Sequence, residues 1–225
     1  MRELLKKFCS PPTGRDSYFI SFEGIEGAGK STQVKHFASW LTIEGFQATV
    51  FREPGGTLFG EKLREAVLQQ KSRLHPLAEA CLFASARSQL LYEKILPLLQ
   101  QERQVVILDR YIDSSIAYQG VARALGVETV LKLHSFLPLT YLPHLTFYLR
   151  ILPEVSEERQ LKRANSKDYF EREGKAFYQG LYHGMEECVR LFPDRVHAIA
   201  SESDEESVFK KIKDEWKKYV ERGAT

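Results

Sequence analysis

Eight consecutive residues, Gly24-Ile25-Glu26-Gly27-Ala28-Gly29-Lys30-Ser31, carry the spacing G-x-x-x-x-G-K-[ST] of a phosphate-binding loop. Its chemistry follows from the residue types. Glycines at 24, 27 and 29 let the backbone take conformations that a side chain forbids, so successive N–H groups can face phosphate oxygens. Lys30 adds a point charge for β- and γ-phosphates, Ser31 offers a hydroxyl to Mg²⁺, and a helix running from Thr32 sets its positive end behind the anion. A second acid completes such a site. Gln104-Val-Val-Ile-Leu-Asp109 is an apolar run closed by a carboxylate, the form in which a strand-end aspartate lies beside the metal held by the loop.

The elements that must position these groups are legible as buried strands. Tyr18 to Phe22 precedes the loop, and the run Val34, Phe37, Ala38, Leu41 after it has helical spacing. Gln47 to Phe51 reads as a second strand, ending at Arg52-Glu53-Pro54-Gly55-Gly56-Thr57, where Thr57 can cap the next helix. Loops at the carboxyl ends of parallel strands are where open α/β sheets bind ligands, so Arg52 and Glu53 stand where an acceptor could be held; a solvated loop pair is the bland alternative. A long helical pattern from Pro76 to Gln101, with Pro97 kinking or dividing it, puts Phe83 and Arg87 on one face, a ring for stacking beside a hydrogen-bonding fork. Arg110 follows Asp109, and a helical register from Ile112 gives Ser115, Tyr118 and Gln119 one polar face. His144 to Ile151 and Val196 to Ala200 read as the fourth and fifth strands. Between them lies the helical, charged span from Pro153 to Phe192, whose hinge near 159–174 could be a lid or solvated surface. Asn165-Ser-Lys-Asp168 has its lysine one place late for a guanine-reading motif and is set aside. Asp204 to Val220 closes the chain as an amphipathic helix.

Composition excludes several classes. The 225 residues suit one α/β domain spanning 18–225, and 32 basic against 30 acidic residues give +2, no footprint of a nucleic-acid binder. No apolar run reaches membrane-span length, and Cys9, Cys81 and Cys188 are spaced as reduced thiols of a cytoplasmic protein. Residues 1–17 lack the apolar core of a secretory signal and read as an extension with no catalytic part; a short helix and linker, a weak targeting segment or an overlong start are the options.

Four strings in order, Phe-Glu-Gly-Ile-Glu-Gly-Ala-Gly-Lys-Ser-Thr, Arg-Glu-Pro-Gly-Gly-Thr, Leu-Phe-Ala-Ser-Ala-Arg and Leu-Asp-Arg-Tyr-Ile-Asp-Ser-Ser-Ile-Ala-Tyr-Gln-Gly, resemble the bacterial thymidylate kinases from about Phe19 onward. The resemblance implies a P-loop kinase fold, a three-layer α/β/α domain with a five-stranded parallel sheet and a helical lid. It also implies a homodimer, and transfer of the γ-phosphoryl of MgATP to dTMP. By the same likeness Phe83 stacks on thymine, Arg87 hydrogen-bonds the base, and Ser115 and Gln119 complete the base pocket. Tyr118 crowds a ribose 2′-OH, Glu26 and Glu53 lie by the sugar and acceptor end, and Arg64 and Arg110 hold the acceptor phosphate. Family members with a non-basic loop resemble a class whose catalytic arginine comes from the lid, within an Asp-Arg pair. Here that pair is Asp168-Tyr169, leaving Arg163 and Arg159 as candidates. A P-loop kinase for another acceptor, or a nucleotide-dependent switch without one, are the competing readings.

Overall fold

The computed structural model describes residues 1–70, 72–162, 169–170 and 173–223. Five strands, β1 (Tyr18–Glu23), β2 (Gln47–Arg52), β3 (Gln104–Asp109), β4 (Leu145–Arg150) and β5 (Val196–Ala200), form one parallel sheet in the order β2-β3-β1-β4-β5. Parallel strands need crossover helices, which cover both faces, so a strand with apolar residues on both sides is stable only in such a sheet. Along β3 the side chains alternate between two cores. Val105, Ile107, Leu145 and Phe147 pack with Phe37 and Trp216 on one side, while Val106 and Leu108 pack with Leu91 and Tyr111 on the other.

One face of β1 turns polar as it approaches its carboxyl end, through Phe19, Ser21 and Glu23, all fully buried. That gradient needs partners. Ser21 Oγ lies 2.7 Å from Thr146 Oγ1 on β4, and Glu23 accepts from the Tyr111 N–H and the Ser114 hydroxyl, each at 2.6 Å. Phe22 and Arg52 both stand in register with Asp109, which brings three strand ends to one edge.

Around the sheet run α1 (Arg2–Leu5), α2 (Lys30–Ile43), α3 (Leu58–Leu68), α4 (Pro76–Leu90), α5 (Leu96–Leu99), α6 (Ile112–Ser115), α7 (Val127–Leu133), α8 (Pro153–Leu161), α9 (Lys175–Leu191) and α10 (Glu205–Gly223). The helix expected from Thr32 begins two residues earlier, at Lys30. The division expected at Pro97 falls one turn upstream, as a π-helical stretch Leu91–Ile95 between α4 and α5. Proline lacks an N–H and its ring crowds the carbonyl four residues back, and a wider turn relieves both. Helix α7 has no counterpart among the elements expected from the sequence. Residues 1–17 pack on the body: Leu4, Leu5 and Phe8 join the second core, and the Leu142 N–H donates to the Cys9 carbonyl at 2.8 Å.

A second π-helical stretch, Ile116–Ala122, carries Tyr118 and Gln119. Helix α9 lies against it so closely that a Cβ at Gly184 would stand 2.5 Å from Ala117 Cα. In an ordinary helix Gly→Ala is favourable by about 1 kcal/mol. Overlap with a neighbouring backbone outweighs that gain, so Gly184→Ala is expected to lose about 1–3 kcal/mol, read as a lower urea midpoint; an unchanged or raised midpoint would contradict this packing.

Candidate functional site

The glycine loop turns directly off β1. Gly24 has φ +144°, and a Cβ there would lie 2.6 Å from the Leu149 carbonyl oxygen, so only glycine fits. Lys30 opens α2, is buried, and donates from Nζ to the Gly24 and Ile25 carbonyls at 2.8 and 3.1 Å. Burial, and then the nearby Arg110 cation, pull the Lys30 pKa down to about 8. Helix α8 clamps the loop from outside. Ser156 Oγ donates to the Glu26 carbonyl at 2.6 Å, and Arg159 Nη1 donates to the Gly27 carbonyl at 3.0 Å and to Ser201 O at 3.3 Å.

Arg110 takes φ +75°, which carries its side chain back over the loop. There Nη1 donates to the Gly24 carbonyl at 2.9 Å and to Ser114 Oγ at 3.2 Å, and Nη2 pairs with Glu26 Oε1 at 2.5 Å. Tyr118 donates to the same Glu26 oxygen at 2.7 Å and offers its ring to the guanidinium at 5.2 Å. Burial would raise the Glu26 pKa, but Arg110 and Lys30 hold it below the ordinary carboxylate value.

Beyond Arg110 a cavity partly open to solvent is lined by Glu26, Glu53, Arg64, Phe83, Arg87, Arg110, Ser115, Tyr118 and Gln119. The chain segments that supply them are far apart in sequence. Helix α4 contributes Phe83 and Arg87, the turn after β2 contributes Glu53, and α6 with the π-helical stretch contributes Ser115, Tyr118 and Gln119. Arg87 is almost fully enclosed: Nε and Nη2 meet Glu53 Oε2 at 2.6 Å, Nη1 meets His134 Nε2 at 2.6 Å, and the fork lies over Tyr111 at 4.8 Å. Burial and Arg87 together push the His134 pKa down to about 3, so its ring is neutral. The neutral ring donates from Nδ1 to the Val130 carbonyl at 2.8 Å and accepts from Arg87 at Nε2.

Not every expected residue converges here. Arg52 is exposed, paired with Glu61 at 3.2 Å, and does not line the cavity. Arg159 sits behind the phosphate loop. Arg163 lies outside the described residues, as does Asp168. Several lining residues were not anticipated: Pro54, Leu68, Tyr111, Ser114 and Phe170. Phe170 packs on Tyr118 at 5.2 Å and on Phe83 at 6.1 Å, so the expected lid contributes an apolar wall. His134 was missed because α7 was missed.

A metal fits beside the loop. Ser31 Oγ lies 3.4 Å from Asp109 Oδ2, and Asp109 Oδ1 is buried without a hydrogen-bond partner among the described residues. Hydroxyl and carboxylate oxygens are the hard donors Mg²⁺ takes, with phosphate and water filling its remaining positions.

A five-stranded parallel sheet whose first strand runs into this loop, with an acid at the end of the adjacent strand, defines a P-loop kinase fold. The family profile described as thymidylate kinase matches residues 22–212. A thymidylate kinase of Thermoanaerobacter sp. (strain X514) is 42% identical over 202 residues, covering 90% of this chain and 98% of that one. Another, from Caldanaerobacter subterraneus subsp. tengcongensis, is 46% identical over 178 residues, covering 79% and 84%. The crystal structure of thymidylate kinase from Ehrlichia chaffeensis superposes with a TM-score of 0.71 at 29% identity, covering 89% of this chain and 98% of that chain. The chain belongs to the thymidylate kinase family.

The Lys30 environment makes a pH prediction. A polyphosphate in the loop raises the pKa of Lys30 from its free value near 8. At pH 8.5 the free amine is mostly neutral and the bound one protonated, so binding takes up a proton; at pH 6.5 it is protonated in both states. Calorimetry of inorganic tripolyphosphate in two buffers of different ionisation enthalpy is expected to show uptake at pH 8.5 that is lost in Lys30→Met. Equal uptake by the variant would contradict the assignment.

Proposed function

We propose that this enzyme transfers the γ-phosphoryl group of MgATP to dTMP, giving dTDP and ADP, with the phosphate loop holding the donor and the adjoining cavity holding the acceptor. One observation carries the reading of the site: Phe83, Arg87, Ser115, Tyr118 and Gln119 line a single cavity that opens onto Arg110 and, through Glu26, onto the Lys30 loop.

Each group has a task its chemistry suits. The Phe83 ring stacks on the pyrimidine, and Arg87, fixed by Glu53 and His134, presents its fork to the base edge. Tyr118, held by Glu26, leaves little room at a ribose 2′ position. Arg64 and Arg110 bind the acceptor phosphate. Ser31 and Asp109 would hold Mg²⁺, which when bound neutralises charge on the transferring phosphates. Lys30 binds donor phosphate oxygens, and Arg159 braces the loop from behind at Gly27. A lid arginine at 163 would complete the charge around the transferring group.

No strong general base is required, because a phosphate monoester has its second pKa near about 6 and presents an ionised oxygen at neutral pH. What the protein must supply is alignment and cancellation of repulsion between two polyanions. The homodimer implied by the resemblance and the cytoplasmic location read from the cysteines belong to this proposal as well. In support, all three cysteines are free thiols, and no described helix is long and apolar enough to cross a membrane.

A coupled assay of ADP release across dTMP, dUMP, dCMP and thymidine tests the reading. dTMP is expected to be turned over fastest, with thymidine near background; ATP turnover indifferent to dTMP would sink it. Arg110→Ala is expected to lower kcat by about 10²–10³-fold while the thermal melt shows a folded protein. Near-normal kcat in that variant would remove Arg110 from the mechanism.

A further inference from the structure

Helix α4 presents a second polar side chain on the face that carries Phe83 and Arg87. Glu79 stands one turn before Phe83, so the three occupy positions i, i+4 and i+8. It is completely buried and does not line the acceptor cavity. Its Oε1 accepts from Gln119 Nε2 at 2.7 Å, and its Oε2 lies 3.5 Å from Arg123 Nε, also buried. Arg123 is in turn paired with Glu173 and covered by the rings of Phe177, Tyr169 and Phe170.

The consequence falls on Gln119. A side-chain amide can be turned over, exchanging its donor for its acceptor with almost no change of shape, unless a neighbour accepts only one orientation. A carboxylate offers acceptors alone, so Glu79 binds the NH₂ end and leaves the carbonyl end to find another partner. Gln119 lines that cavity, is 1% exposed, and its Oε1 is buried without a partner among the described residues. We propose that Glu79 is a positioning residue that fixes the Gln119 amide as an obligate hydrogen-bond acceptor and thereby selects a pyrimidine with an N3–H.

This rests on the reading of the cavity as the site of the acceptor base. Thymine and uracil carry an N–H at ring position 3, which the Gln119 carbonyl accepts. Cytosine has a bare nitrogen there, and two acceptors would face each other. An amide free to turn would donate to that nitrogen, so it is the neighbouring carboxylate that converts a permissive residue into a selective one.

The test is Glu79→Gln, which keeps shape and removes the one-sidedness, with kcat/KM measured for dTMP, dUMP and dCMP. The dTMP and dUMP values are expected to fall together by about tenfold or more while dCMP holds or rises. The dTMP:dCMP ratio then narrows and the dTMP:dUMP ratio stays put. A parallel fall for all three, or an unchanged dTMP:dCMP ratio, overturns the proposal, since a residue that only supports the fold moves every substrate alike. The swapped variant Glu79→Gln with Gln119→Glu returns an acceptor to the cavity, its far oxygen held by the new amide, and is expected to recover the dTMP:dCMP ratio. Failure to recover it in a folded protein also overturns the proposal. If the unmodified enzyme does not prefer dTMP to dCMP, the reading of the cavity fails rather than the role of Glu79.

Discussion

Buried Lys30 and half-buried Arg110 stand close enough at one sheet edge for the Arg110 charge to reach Lys30, and the site is arranged around these two cations. Each is partly neutralised by acids that cannot leave, because Glu26 sits in the loop and Asp109 at a strand end. Burial, and then the Arg110 charge, still leaves the Lys30 pKa lowered. An anion bound between them would relieve that strain on Lys30.

The positive φ of Arg110 is the structural means to this end. A left-handed turn immediately after β3 sends the side chain back across the phosphate loop instead of outward, where it meets the Gly24 carbonyl, Glu26 and the Tyr118 ring together. Strain at one residue is tolerable where several contacts determine its position. Because Tyr118 lies on the π-helical stretch pressed by α9, the same packing that orders the wall of the cavity also supports Arg110. Glu79 extends that logic to Gln119 and, through Arg123 and Glu173, to the aromatic residues of the expected lid.

Sheet, phosphate loop and Asp109 were legible in the sequence for a physical reason: strands buried on both faces read as unbroken apolar runs, and the loop must be glycine-rich. Thr57 capping α3 was legible too, and its Oγ1 accepts from the Gly60 N–H at 2.9 Å. The residues that escaped notice depend on distant pairing. Nothing local to His134 announces that it will fasten Arg87, and a buried glutamate such as Glu79 looks like any surface acid until its partners are known. Its spacing from Phe83 and Arg87 was the available signal. Arg52 misled because it follows a strand end, yet in a parallel sheet the edge strand β2 turns that side chain to solvent and to Glu61. The π-helical turns left no trace in periodicity, since a single wide turn shifts the register of the downstream residues by one position only.

If Lys30 and Arg110 face one shared gap where two phosphate chains meet, their contributions to binding are coupled. A double-mutant cycle on the binding of a bisubstrate ligand, thymidine and adenosine joined through a chain of phosphates, measures this directly. Calorimetry on the unmodified protein, Lys30→Met, Arg110→Ala and the double variant is expected to give a coupling of about 1 kcal/mol or more between the two changes. Losses that simply add, within about 0.5 kcal/mol, would mean that the two cations serve separate sites.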